Sequence, residues 1–115
     1  MPSRRLLRLN ELLREEIADL LARELRDPRL SGLITITDVE TTPDLAVSRV
    51  YVSVLGTDEE AAEALRALRH AAGFLRREIA ARLRLRRMPA LEFRPDPSLA
   101  RGARVLELLR EIEQR

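Results

Sequence analysis

The feature that most limits how this chain can fold is a pair of β-branched runs with one short turn between them. Residues 33–40 read Leu-Ile-Thr-Ile-Thr-Asp-Val-Glu, and residues 46–55 alternate between two faces. The intervening Thr41-Thr42-Pro43-Asp44 is a turn signal. Two strands joined this closely pair antiparallel. The face of the second strand that we expect to pack on helices consists of Ala46, Ser48, Val50, Val52 and Val54.

Segments with helical periodicity flank this pair on both sides. Residues 4–26 carry leucine and isoleucine at spacings of three and four, with Ser3 as the N-cap. A second helical segment begins at Thr57 or Asp58 and stops before Met88-Pro89. Because a glycine inside a helix costs about 1 kcal/mol relative to alanine, Gly73 predicts a kink that divides this segment into two helices.

The remaining residues predict one more strand, at 90–94, and a last amphipathic helix, at 98–113. The predicted order is therefore α-β-β-α-(kink)-α-β-α. This order indicates an α+β fold in which helices cover one face of a three-stranded sheet. A length of 115 residues is that of one domain, so we expect a single domain over residues 1–115.

Composition excludes several classes of protein. The chain has no cysteine and one histidine, which rules out disulfides, thiolate metal sites and multi-histidine metal sites. No apolar run approaches the length of a transmembrane helix, and the N-terminus does not resemble a secretory signal, so we expect a cytoplasmic protein. The sequence contains no phosphate-binding glycine loop and no readable nucleophile–base arrangement, and His70 fits a surface position. We expect no metal, no cofactor and no enzymatic activity.

Positive charge is concentrated in one segment. All 21 basic residues are arginine and the net charge is only +2, yet residues 69–87 hold seven arginines against Glu78 alone. Such a segment predicts a phosphate-binding face, although a solvated helix face is the alternative. We expect Arg4, Arg5 and Arg8 to extend this face. The predicted face itself consists of Arg69, Arg76, Arg77, Arg82, Arg84, Arg86 and Arg87.

The small residues Ala71-Ala72-Gly73 lie inside this basic segment and permit two interpretations. A helix that restarts at Gly73 would offer free N–H groups to a phosphate, and a glycine would let that phosphate approach closely. Alternatively, the small residues let two helices pack tightly over the sheet. Aromatic residues are few: we expect Phe74 and Phe93 in the core, and stacking of bases is not the expected main mode of binding.

The element order and the Ala71-Ala72-Gly73 motif resemble the type II KH domain, in which a G-x-x-G motif contacts nucleic-acid backbone. The A-x-G form resembles the ribosome-binding factor A family. Ala90 departs from the resemblance, because the family pattern has glutamate there. The other segments that resemble this family are Arg26-Asp27-Pro28-Arg29-Leu30, Leu33-Ile34-Thr35-Ile36-Thr37-Asp38-Val39, Val50-Tyr51-Val52-Ser53, Met88-Pro89-Ala90-Leu91-Glu92-Phe93 and Asp96-Pro97-Ser98.

The resemblance implies a non-catalytic factor that binds free 30S ribosomal subunits. It also implies a role in late maturation and 5′-end processing of 16S rRNA, a link to growth in the cold, and release with help from a ribosome-assembly GTPase. We expect a monomer with no membrane contact. Two alternatives stay open: a KH-type RNA-binding protein without ribosomal specificity, and a protein-interaction module that uses the leucine-rich first and last helices.

Overall fold

A computed structural model describes residues 3–23, 30, 33–97 and 109–113 of the chain. The predicted end of the first helix at 24–26 and most of the predicted last helix, residues 98–108, lie outside this set, whereas residues 109–113 are helical. The α+β class and the three strands are confirmed. In chain order the elements are α1 (Arg4–Arg23), β1 (Leu33–Thr41), β2 (Val47–Leu55), α2 (Asp58–Leu83) and β3 (Ala90–Pro95).

The three strands form one mixed sheet in the order β1-β2-β3. Strands β1 and β2 pair antiparallel, as predicted, with one register shift between Ile36 and Asp38. Strand β3 pairs parallel to β2, from Ala90 opposite Val47 to Pro95 opposite Val52. A parallel neighbour requires a crossover connection, and α2 provides it. Helix α2 is therefore held against the sheet at both of its ends.

The core lies between one face of this sheet and the two helices. Ser48, Val50 and Val52 are buried on β2, which confirms the centre of the predicted packing face. Their alternation with half-buried neighbours follows from the two-residue period of a strand. At the ends of that face Val54 is half-buried against the core, and Ala46 is exposed and precedes the strand, so the prediction that Ala46 belongs to the face is wrong. The helices bury one stripe each against this face. The buried residues of these stripes are Leu6, Leu13, Ile17 and Leu20 on α1 and Ala64, Ala67, Leu68, Leu75 and Ile79 on α2.

Both helix starts carry side-chain caps, as the sequence predicts. The Ser3 hydroxyl accepts a hydrogen bond from the Leu6 amide at 3.2 Å. Thr57, rather than Asp58, is the N-cap of α2, and its hydroxyl accepts from the Glu60 amide at 3.1 Å. The Glu60 carboxylate in turn accepts from the Thr57 amide at 3.2 Å, which completes a capping box.

The prediction of two helices separated at Gly73 is wrong, because α2 is one uninterrupted helix of 26 residues. Burial explains why the helix continues. Leu68 and Leu75 lie on either side of the glycine, both are fully buried, and each contributes about 1.5–3 kcal/mol on leaving water. These contributions exceed the cost of about 1 kcal/mol for one glycine.

The prediction that Phe74 belongs to the core is also wrong. Phe93 is 1% exposed and central to the core, but Phe74 is 37% exposed. Successive helical residues lie about 100° apart around the axis, and Leu75 occupies the direction of the core. Phe74 is therefore turned toward the surface.

Two adjacent leucines of α1 test this description of the core. Leu13 is 0% exposed and Leu12 is 38% exposed. We expect Leu13→Ala to lower the free energy of unfolding by about 2–5 kcal/mol, since it removes buried area and leaves a cavity. Leu12→Ala, the matched control, should cost less than about 1 kcal/mol. Urea denaturation followed by circular dichroism measures both, and equal losses would contradict the placement of α1.

Candidate nucleic-acid interface

The solvent side of α2 carries a continuous stripe of polar and small residues. Residues spaced by three and four lie on one side of a helix. On α2 this spacing links Arg66, His70, Gly73 and Arg77, all of which are exposed, and the exposed Arg84 follows directly after the helix as its C-cap. Arg66 is paired with Glu63. The part of the stripe after His70 lies within the basic segment at residues 69–87 and includes Gly73 and Arg77.

Gly73 is not required by the packing of the protein. Within the part of the chain that the structure describes, a Cβ at this position would approach only Nη1 of Arg77, at 3.5 Å, which is an ordinary van der Waals distance. Tight packing therefore explains Ala71 and Ala72, which are half-buried against the core, but does not explain the glycine. The alternative based on free N–H groups is wrong as well, because the helix does not restart here. What Gly73 leaves is an exposed patch of helix backbone beside the Arg77 guanidinium.

Arg84 also departs from local preference. It is the C-cap of α2 and has a left-handed backbone, with φ 52° and ψ 44°. Glycine is the residue that helices favour in this conformation, since a Cβ is crowded there. The backbone N–H of Arg84 still donates to the Ala80 carbonyl. Gly73 on α2 and Arg84 at its C-cap are thus not the choices that stability favours.

Arg69 and Arg76 bind the edge of the sheet. The Arg69 guanidinium donates to the Phe93 carbonyl through Nη2 at 3.1 Å and Nε at 3.3 Å. The Arg76 guanidinium donates to the Met88 carbonyl at 2.7 Å and to the Pro89 carbonyl at 3.3 Å. A guanidinium has five N–H donors, so some remain for another ligand. Both side chains nevertheless have a structural role that the sequence did not indicate.

Arg82 lies apart from the rest of the predicted face. Its Nη1 is 3.2 Å from Oδ2 of Asp19 and 3.5 Å from Oε2 of Glu16, both on α1. This ion-pair cluster joins the two helices on the α1 side of α2. The structure therefore does not bring Arg82 together with the arginines that follow the helix.

Four predicted residues have exposed guanidinium groups at or near the end of α2. They make no hydrogen bond or ion pair with any residue in the part of the chain that the structure describes. Their charges are therefore available to a ligand from outside, although they also repel one another. These residues are Arg77, Arg84, Arg86 and Arg87.

The turn between β1 and β2 connects this cluster to the start of α1. The Thr42 hydroxyl, which donates to the carboxylate at 2.6 Å, is the largest cause that lowers the pKa of Asp44, and the positive charge of Arg87 adds a smaller effect. Arg87 therefore lies near this turn. Arg5 shares a cleft with Pro43 and Leu45 of the same turn. Arg4 and Arg8 are exposed on the same end of α1.

Tyr51 lies on the opposite side of the molecule from α2. It is half-buried on the sheet face that the helices do not cover, and its hydroxyl donates to Glu40 at 3.3 Å. Burial, followed by the charge of Glu40, raises the pKa of this phenol. Tyr51 is therefore not part of the basic face.

His70 and Phe74 are exposed residues beside Gly73 that the sequence analysis did not include in the predicted face. The phase of α2 could have indicated them, because Leu68, Leu75 and Ile79 fix the buried direction. Within the described ranges, no group of three His, Cys, Asp or Glu side chains could hold a metal ion. No helix in those ranges is long and apolar enough to span a membrane.

The chain is similar to known proteins over most of its length. The profile described as "Ribosome-binding factor A" matches residues 5–109. The ribosome-binding factor A of Thermomicrobium roseum is 52% identical, over 99% of this chain and 88% of that protein. The crystal structure of ribosome-binding factor A from Thermus thermophilus has a TM-score of 0.68 at 39% identity, covering 76% of this chain and 91% of that one.

A further similar structure belongs to a complex with the 30S subunit. It is a homology model of the Thermus thermophilus ribosome-binding factor A, fitted into a cryo-electron microscopy map of a 30S complex. The match has a TM-score of 0.56 at 41% identity and covers 76% of this chain and 87% of that one.

The two unfavoured residues of the face lead to a stability prediction. We expect Gly73→Ala to raise the free energy of unfolding by about 0.5–1 kcal/mol, because alanine is the better helix former and its Cβ has room. Arg84→Gly should not lower it, and should raise it by up to about 1 kcal/mol, because it relieves the left-handed strain. Thermal and urea unfolding measure both changes; a clear loss in Gly73→Ala would mean that the glycine has a packing role.

For Arg76, one of the two arginines bound at the sheet edge, we predict that substitution lowers stability. Arg76→Met keeps most of the apolar stem but leaves the Met88 and Pro89 carbonyls without their donor. We expect a loss of about 1 kcal/mol, since the contact is partly exposed. Arg77→Met is the matched control, one residue away on the same helix, and should change stability by less than about 0.5 kcal/mol. Similar unfolding midpoints for the two variants would contradict a structural role for Arg76.

Proposed function

This chain belongs to the ribosome-binding factor A family, and from that premise we propose that it binds the free 30S ribosomal subunit as a non-catalytic assembly factor. The proposal includes contact with 16S rRNA and support of its late maturation, including 5′-end processing. A similar protein, 41% identical, has been fitted into a map of a 30S complex, which supports this partner. Such a factor acts in the cytoplasm, where ribosomes are assembled, and we propose that it acts as a monomer.

The observation that carries the proposal is a set of four exposed arginines in the last turns of α2 and directly after it: Arg77, Arg84, Arg86 and Arg87. Each could bind phosphate oxygens of an rRNA backbone and release the counterions bound there. The whole chain has a net charge of only +2, so these four arginines hold an excess of positive charge that the rest of the chain partly balances. Arg5 and its neighbours on α1 would extend this surface past the turn at 42–46.

Gly73 and Arg84 support the proposal independently of charge. Neither residue improves the stability of the fold at its position. A residue that breaks a local preference without a structural benefit is expected at functional sites. At Gly73 the bare helix surface would let an RNA backbone approach closely, and Arg84 would place its guanidinium at one end of that contact.

The mechanism that fits these features is selective binding. A ligand shifts a conformational equilibrium only by the difference between its affinities for the two states. We propose that the protein binds one arrangement of the immature rRNA more tightly than others and so increases its population. Release with help from an assembly GTPase would then require a change in the subunit that removes this preferred arrangement.

Co-sedimentation with purified particles tests the proposal. We expect binding to free 30S subunits, little binding to 50S subunits or assembled ribosomes, and weaker binding as salt increases. Equal binding to all particles and to bulk RNA would instead favour a KH-type protein without ribosomal specificity. Association that ignores salt would favour the protein-interaction alternative.

A charge-matched pair of variants shows which surface binds. Arg77→Gln combined with Arg84→Gln should weaken 30S binding by at least about tenfold and reduce the slope of log affinity against log salt by about 1–2, since two phosphate contacts are lost. The control is Arg14→Gln combined with Arg23→Gln, which removes the same charge from ion pairs on α1. If both double variants have the same slope, the end of α2 is not the contact surface.

A further inference from the structure

We propose that the ring of Phe74 stacks on an unpaired base of the rRNA whose phosphates the neighbouring arginines bind. This inference rests on the proposed function and deepens it, since it names the kind of nucleotide at this face. It concerns a residue that was expected in the core and that the structure places at the surface.

The exposure of Phe74 is unusual within this protein. Among the described residues, six large apolar side chains are exposed, and Phe74 is the one aromatic residue of that set. The core does not need it, because Leu75 and Phe93 already fill the space between α2 and β3 and are almost fully buried. Phe74 is 37% exposed, so part of its apolar area is open to a ligand although the rest of the residue lies against the fold.

The neighbours of Phe74 give that area its chemical character. Arg77 follows three residues later, so its Cβ lies about 5–6 Å from that of Phe74. His70, also exposed, precedes Phe74 by one turn, and Gly73 adds no side chain beside the ring. The half-buried Glu78 lies one turn further along, on the side away from Gly73. Two rings and one unpaired guanidinium group thus surround a bare patch of helix.

A single-stranded nucleotide matches this combination better than other occupants. An apolar protein surface would bury the charge of Arg77 without a partner, which is costly. A double-stranded RNA helix offers phosphates, but its bases are stacked on one another and unavailable. An unpaired nucleotide offers both a phosphate for Arg77 and a flat base for Phe74, and proteins commonly use Phe and His rings for such stacking.

Two variants of Phe74 separate stacking from charge. We expect Phe74→Leu, which keeps an apolar side chain, to weaken binding to 30S subunits by about fivefold to a hundredfold. Phe74→Tyr, which keeps the ring, should bind within about threefold of wild type. Neither variant removes a charge, so the salt slope of both should equal that of wild type, in contrast to the Arg77 and Arg84 double variant.

A second measurement uses the wild-type protein and does not depend on the folding of a variant. The protein bound to free 30S subunits is irradiated with short-wavelength ultraviolet light, digested and analysed by mass spectrometry for nucleotide adducts. We expect an adduct on Phe74. Wild-type binding that weakens with salt, with no adduct at Phe74 and with Phe74→Leu binding as wild type, would overturn the stacking while leaving the proposed function intact. Absence of 30S binding by the wild type would overturn the proposed function, and the stacking with it.

Discussion

The rotational phase of α2 about its axis is the constraint on which the rest of the structure depends. Leu68, Leu75 and Ile79 are fully buried against the sheet, and they fix which side of the helix meets the core. Every other residue of α2 then has a determined direction. The arginines divide accordingly: Arg69 and Arg76 reach the edge of β3, Arg82 reaches α1, and Arg77 faces solvent. The buried stripe of α2 thus determines which arginines bind other parts of the fold and which are available to a ligand.

Most of the fold could be predicted from the sequence, because its elements follow from local patterns. The strand pair around Thr41-Thr42-Pro43-Asp44, the caps at Ser3 and Thr57, and the buried face of β2 all follow from period and turn chemistry. The continuity of α2 could not be predicted in this way. A glycine signals a break locally, but burial on both sides of Gly73 comes from tertiary packing, which outweighs propensity.

The sequence predicts that the candidate site is rich in arginine, but not which of those arginines are bound to the rest of the fold. A count of charges finds the basic segment, since electrostatics depends on clustering that the sequence shows directly. It cannot show that Arg69 and Arg76 donate to main-chain carbonyls, because those carbonyls belong to residues 12 to 24 positions away. The left-handed backbone of Arg84 is similarly invisible, since it depends on where the helix ends. The distinction between structural and free arginines therefore requires the three-dimensional arrangement.

The bonds from Arg69 and Arg76 to β3 have a further consequence for association between copies of the chain. Strand β3 is one of the two outer strands of the sheet, and an uncovered outer strand can accept a strand from another molecule. On this strand Arg69 binds the carbonyl of Phe93 and Pro95 has no N–H to offer, while Arg76 binds the carbonyls of Met88 and Pro89 just before the strand. The bond from Arg69 thus occupies one main-chain carbonyl of β3, and a strand from another molecule could not pair with that group without displacing the guanidinium. A single helix carries both Arg69, which shields part of the sheet edge, and Arg77, which we propose binds rRNA.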